Sequence, residues 1–164
     1  MKIVFLIPEF PGQTHSFFWR EISHLTEESE HEAHIISTRL PAQPVRHSWT
    51  SGLAVDYLFP PSAPDLAEAI LRLLPAMPRL LSQADTRNCL RTRNGVAMLI
   101  VAALLAKVCR RHRIDHLHVH SCANAALIAA FLNRMTGLPY SLVLHGPIKD
   151  YGPDQRDKWI RTAF

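Results

Sequence analysis

HLHVHSCANAALIAAFLNRMTGLPYSLVLH, residues 116–145, decides the fold. It begins with a run in which Leu117 and Val119 alternate with His116, His118 and His120. It continues through a helix of mostly small residues, stops at Gly137 and returns to an apolar run at 140–144. A two-residue period that gives way to an apolar helix, a glycine stop and a second apolar run is the pattern of a parallel strand-helix-strand unit. The alanines after Asn124 suit a helix that lies close against a sheet.

The rest of the chain repeats this alternation. KIVFLI at 2–7 is continuously apolar and ends at a proline, as a strand buried on both faces should. In the following THSFFWREISHLTEE, Phe18, Ile22 and Leu25 fall at helical spacing, with Thr14 or Ser16 available as N-cap. Strands are expected at 33–37 and 54–59, separated by a proline-containing loop. PPSAPD then caps a helix, DLAEAILRLL, which Pro75 and Pro78 break or kink. The polar stretch QADTRNCLRTRNG reads as an exposed connection, and GVAMLIVAALLAKVCRRHR as a central buried helix with a basic carboxyl end. Strands at 117–119 and 140–144 complete the set, and PDQRDKWIRTAF begins one more helix. Strands alternating with helices imply parallel pairing and right-handed crossovers, hence a doubly wound, mostly parallel, Rossmann-like α/β sheet in one domain over residues 1–164.

Composition narrows the function. Eighteen Lys and Arg against fourteen Asp and Glu give a formal charge of +4, with basic residues clustered at 107–113 and 149–161. Such mild positivity suits phosphates or an anionic membrane face and is too weak to indicate nucleic acid. Three cysteines without C-x-x-C spacing read as reduced, intracellular thiols. The opening apolar run is too short for a signal peptide, and the longest, at 96–106, is half of the roughly 20 residues a bilayer span needs. A soluble, cytoplasmic chain is expected, with the inner membrane face as its one membrane contact. Neither G-x-G-x-x-G nor G-x-x-x-x-G-K-[ST] occurs, which argues against dinucleotide and P-loop chemistry.

In a doubly wound sheet, ligands bind beyond the carboxyl ends of the strands. PEFPGQTHS, HSCAN and HGPIKDYGPDQ should therefore emerge on one edge. Gly12, Gln13 and Thr14 from the first, Ser121 and Asn124 from the second, and Gly146, Lys149 and Asp150 from the third are the candidate substrate contacts. His145, at a strand end beside a glycine, presents an imidazole to the cleft and is the candidate catalytic residue; a structural histidine is the competing reading. His116, His118 and His120 share one face of a strand, but no Asp, Glu or Cys stands at a spacing that completes a ligand set, so no metal is expected. Cys122 reads either as a nucleophile at a helix N-terminus or as a small residue filling a turn, the second being favoured. Lys149, Arg156, Lys158 and Arg161 form either a solvated helix face or, with Trp159, a membrane-edge or acceptor contact.

These stretches together, PEFPGQTHSFFWREISHL, the central HLHVHSCANAALIAAFLNRMTGLPYSLVLHG and KDYG, resemble the N-terminal half of glycosyltransferase family 4 enzymes, particularly bacterial ones that build exopolysaccharides. The resemblance runs over nearly the whole chain. It implies a GT-B architecture in which this domain binds the acceptor and a second Rossmann-like domain binds most of a nucleotide-sugar donor. By the same analogy Gly12 would lie near the donor diphosphate and His145 near the transferred sugar. Transfer would retain anomeric configuration and need neither metal nor cofactor. The chain departs from the family in having one glycine in the first loop and Ile148 where many relatives carry an acidic residue, with Asp150 displaced. The Arg, Lys and paired Glu of a donor domain are absent from these residues, so the chain alone is expected to be inactive. The partners expected are therefore a nucleotide-sugar donor, a glycan or lipid-linked acceptor and a C-terminal donor domain. The alternative is a non-catalytic module that docks anions or lipid, or serves as a scaffold, such as one half of a split glycosyltransferase.

Overall fold

The computed structural model describes residues 1–12, 16–27, 30–44, 48 and 54–143. The first strand, Lys2–Glu9 (β1), is apolar at successive positions and uses both parities: Val4 and Leu6 enter one core, while Ile3, Phe5 and Ile7 enter the other. Ser16–Glu27 (α1) returns the chain to Glu32–Arg39 (β2), and Val55–Phe59 (β3) follows. After β3 come Ala63–Leu73 (α2), a 3-10 turn at Leu74–Ala76, Met77–Ser82 (α3), Ala84–Leu90 (α4) and Arg93–His112 (α5). His116–Val119 (β4), Asn124–Thr136 (α6) and Tyr140–Leu142 (β5) complete the described elements.

The five strands form one sheet in the order β3-β2-β1-β4-β5, and every pair is parallel. The expected α/β Rossmann-like architecture is thus the observed one. β1 is central, with Val4 opposite His34 on one side and Leu117 on the other. One face carries the larger core, where Leu6, Ile36, Leu58, Leu117 and Val119 meet α2, α5 and α6. Within α6 every residue from Ala125 to Leu132 is buried, because small side chains let this helix lie close to the sheet. The other face carries a smaller cluster of Ile3, Phe5, Ile7, Phe10 and Ile35 under Phe18 and Ile22 of α1.

Local chemistry explains most boundaries. Ser62 accepts from the Asp65 amide and caps α2 two residues ahead of the expected start, with Pro64 in the first turn where its missing N–H costs nothing. Thr92 caps α5 by accepting from the Gly95 amide at 2.9 Å. Gly137, at φ +79°, ends α6 and donates to Asn133 O at 2.7 Å. Arg113 does the same service for α5 in the left-handed region, φ 54°, without being glycine. One element differs from expectation: α4 occupies the polar stretch read as an exposed connection. Its helix is held from outside, since Arg134 of α6 donates to the buried Thr86 at 2.7 Å and pairs with Asp85. Ser16 is the first residue of α1, and Thr14 lies outside the described residues.

Among the described residues no single helix is long and apolar enough to cross a membrane.

Candidate functional site

The carboxyl ends of β1, β2 and β3 are tied together by their own side chains. Phe10 N donates to the buried Ser37 Oγ at 3.0 Å, Ser37 Oγ donates to Arg39 O at 2.9 Å, and Tyr57 Oη donates to Phe10 O at 3.1 Å. Glu9 and Arg39, opposite each other in the parallel register, form an ion pair across the last rung. On the far side, the turn after β4 is folded on itself: Ser121 Oγ accepts from the Ala123 amide at 3.0 Å and Cys122 is fully buried beneath it. The turn-filling reading of Cys122 agrees with that burial.

Between these two groups lies a cavity of about 570 Å³ lined by Glu9, Arg39, Phe59, Met98, Ser121 and Asn124, among others. Two of the expected substrate contacts, Ser121 and Asn124, therefore share one cleft at the carboxyl edge. Asn124 does not cap its helix. Ala123 is the N-cap and has no side-chain hydrogen bond, while Asn124 Oδ1 accepts from Asn94 Nδ2 at 3.1 Å, linking the starts of α6 and α5. Gly12 is half-buried beyond the end of β1 and is not among the cleft's lining residues. Gln13, Thr14, His145, Gly146, Lys149 and Asp150 lie outside the described residues, as do Arg156, Lys158, Trp159 and Arg161. The cleft adds two residues that the sequence reading passed over, Glu9 and Arg39. Their pairing shows only once β1 and β2 are known to be parallel neighbours, which sets Glu9 opposite Arg39.

The opposite face of β4 gathers the histidines. Leu117 and Val119 point into the larger core, so the intervening His116, His118 and His120 turn toward α1. There Glu21 lies astride two of them, with Oε1 2.9 Å from His118 Nε2 and Oε2 3.0 Å from His120 Nε2. The expectation that no acidic residue completes a ligand set is corrected by this contact. Glu21 comes from another element, and sequence spacing along β4 has no bearing on it. A trace was present in α1: Glu21 stands three residues after Phe18 and four before Leu25, on the apolar stripe that faces the sheet. A carboxylate on that stripe needs a partner.

Aromatic rings wall the group. The Phe18 and His120 rings meet edge to face at 4.3 Å, and Phe5 stands 5.2 Å from His118. Ser141 of β5 closes the other side, its hydroxyl 2.7 Å from His118 Nδ1 and 2.9 Å from His116 Nε2. With one proton to give, that hydroxyl donates to one ring and accepts from the other. Burial lowers the pKa of His118 below the ordinary 6.5, against the opposing pull of the Glu21 charge. Burial and then the neighbouring His118 lower His116 in the same direction.

A second group joins His34, Asp56 and His112 near the carboxyl end of α5, where both rings approach the same oxygen, Asp56 Oδ2, at 2.8 and 3.2 Å. All three cysteines are free thiols, and burial pushes Cys109 up to about 12, which keeps it protonated and unreactive. No protein-family model, no curated protein and no solved structure matches the chain.

Proposed function

We propose that this domain is the acceptor-side half of a retaining, GT-B-type glycosyltransferase of polysaccharide biosynthesis. In this reading it transfers a sugar from a nucleotide-sugar donor to a glycan or lipid-linked acceptor, once a donor-binding domain closes over its carboxyl edge. The observation that carries the reading is the cleft at that edge. About 570 Å³ of space is bordered by an ion pair, Glu9 and Arg39, and by the Ser121 turn at the start of an alanine-rich helix. Carboxylate, guanidinium, hydroxyl and amide side chains around one concave, partly apolar surface suit the hydroxyl-rich face of a sugar. The position agrees with the rule that doubly wound sheets bind ligands beyond their carboxyl ends. The resemblance of the central segment and the His145-Gly146 pair to glycosyltransferase family 4 supplies the chemistry; His145 is the group we assign to the transferred sugar, with Gly12, Gln13, Thr14, Gly146, Lys149 and Asp150 as further contacts. The protein would work in the cytoplasm, peripheral to the inner membrane face where lipid-linked acceptors are presented.

The second reading is a non-catalytic module that docks on anionic lipid. It is favoured by the run of Arg110, Arg111 and Arg113 at the solvent-exposed end of α5, on the edge of the sheet away from the cleft.

The test joins this domain to a donor-binding domain and measures sugar transfer to lipid-linked acceptors from a panel of nucleotide sugars. His145→Ala should lower turnover by about 10²- to 10³-fold, the usual effect of removing one group that stabilises transition-state charge, and leave the melting temperature unchanged. Full activity in that variant would remove the assignment of His145. Absence of transfer with every donor, together with flotation on anionic vesicles, would favour the docking module.

A further inference from the structure

We propose that Glu21, His118 and His120 form a binding site for one divalent transition-metal ion of the zinc class, separate from the carboxyl-edge cleft and on the opposite face of the sheet. Two imidazole nitrogens and a carboxylate oxygen are a ligand set that such ions accept, and their donor atoms here lie within 4.8 Å of one another. Zinc held about 2.0–2.1 Å from each donor at tetrahedral angles places the donors roughly 3.3 Å apart. The observed separations of 2.9 and 3.0 Å from Glu21 to the two rings need only a few tenths of an ångström of side-chain movement to match.

Three features distinguish this group from a simple ion pair. First, His118 Nε2 is buried and makes no aligned hydrogen bond among the described residues, although a carboxylate oxygen stands 2.9 Å away. Close approach without alignment is the geometry of donors that converge on a common centre rather than on each other. Second, the other nitrogen of the same ring lies 2.7 Å from the Ser141 hydroxyl; with Nδ1–H donating to that oxygen, this is the outer contact that orients a metal-binding histidine and leaves its Nε2 lone pair facing inward. Third, the group borders a cavity of about 300 Å³, lined by Glu21, His31, His116, His118 and Ser141, which provides a route in and room for a water or small anion as fourth ligand. His31 Nδ1, on the wall of that cavity, is also buried without a hydrogen-bond partner among the described residues.

The group at His34, Asp56 and His112 also borders a cavity, of about 180 Å³, but lacks the first two features. His34 Nε2 makes a hydrogen bond to Asp56 Oδ2, and both rings crowd onto that one oxygen. It serves as the control.

A bound ion would link α1 to β4 across the thinly covered face, so its role is to hold structure, and it takes no part in the sugar transfer proposed above. The experiment uses residues 1–164, freed of metal with a chelator. Zn²⁺ binding is measured by calorimetry, and Co²⁺ serves as a spectroscopic probe of coordination. The expected result is one Zn²⁺ per chain, a rise in melting temperature with Zn²⁺, and a Co²⁺ visible spectrum of low-coordinate nitrogen and oxygen ligation. Glu21→Gln and His118→Ala should abolish stoichiometric binding, and Ser141→Ala should weaken it about 10- to 100-fold. His34→Ala should leave it intact. Should His118→Ala fail to fold, Glu21→Gln, isosteric and on a half-exposed side chain, decides the matter through the Co²⁺ spectrum. The proposal is overturned if wild-type protein binds no Zn²⁺, or if binding survives Glu21→Gln, or if it is lost in His34→Ala instead.

Discussion

Gly95, in the first turn of α5, stands so close to the carbonyl group of Cys89 that a β-carbon placed on it would lie 1.9 Å from that oxygen and 2.5 Å from its carbon. Both are backbone atoms, so no side-chain rotation relieves the clash. Gly95→Ala should therefore force α4 and α5 apart and destabilise the domain by about 1–3 kcal/mol, the usual range for overpacking. Urea unfolding of the variant measures it, and an unchanged midpoint would mean that the helix junction adapts freely.

The two left-handed helix ends make a reciprocal pair. Gly137 has φ +79° with nothing within 4 Å of an added β-carbon, so Gly137→Ala meets strain alone and should cost about 1–2 kcal/mol. Arg113 occupies the same region at φ 54°, and Arg113→Gly should stabilise by up to about 1 kcal/mol. Thermal melts of the two variants should move in opposite directions.

Acid sensitivity should come in part from the cluster that bridges α2 and α5. The Lys107 ammonium, with help from the Ser62 hydroxyl, holds Asp65 down to about 2 from its ordinary 3.8, and Lys107 followed by Arg72 lowers Glu68 from 4.5. Folded-state pKa values below the unfolded ones stabilise the fold above the ordinary values, and that contribution is lost as pH falls through the folded ones. The stability gap between wild type and Lys107→Met should thus be full at neutral pH and shrink as pH falls from about 4.5 toward 2. Lys107 itself is raised above 10.5 by the same carboxylates, so its share persists at neutral pH and fades only as the solution becomes strongly alkaline. A gap that stays constant down to pH 2 would show that the cluster contributes nothing through titration.

Arg134 carries the link between α4 and α6. Thr86→Val replaces the buried hydroxyl that accepts from Arg134 Nη1 with a methyl group and leaves part of the guanidinium unsatisfied. The expected cost is about 1–3 kcal/mol. It should appear as earlier hydrogen exchange in α4 than in α5 or α6; equal protection of the three helices in the variant would count against it.

What could be read from the sequence follows from the range of the interactions involved. β1 was legible because a run apolar on both parities fits only a strand covered on both faces, and β4 because Leu117 and Val119 alternate with polar neighbours. α4 was not legible: ADTRNCL has no apolar period, and its helix is fixed by Asp85 and Thr86 meeting Arg134, about fifty residues away. Ser121 and Asn124 line a cavity at the carboxyl edge, a position that topology alone dictates for the turn after β4. Glu9, Arg39 and Glu21 were missed because their roles depend on which strand or helix lies beside them. That arrangement is set by strand order, which local spacing does not encode.

Strand order also shapes how the molecule comes into being. β1 is made first and ends in the middle of the sheet, yet one of its two neighbours begins only at residue 116. A nascent chain can therefore pair β1 with β2, and β2 with β3, early, while the other side of β1 remains a row of unpaired amides and carbonyls until β4 is made. That side belongs to KIVFLI, uncharged after Lys2 and rich in strand-forming residues, a segment prone to join other chains when exposed. Until the ribosome delivers HLHV, the future centre of the sheet is a sticky margin, and yield in the cell should depend on chaperones that shield it.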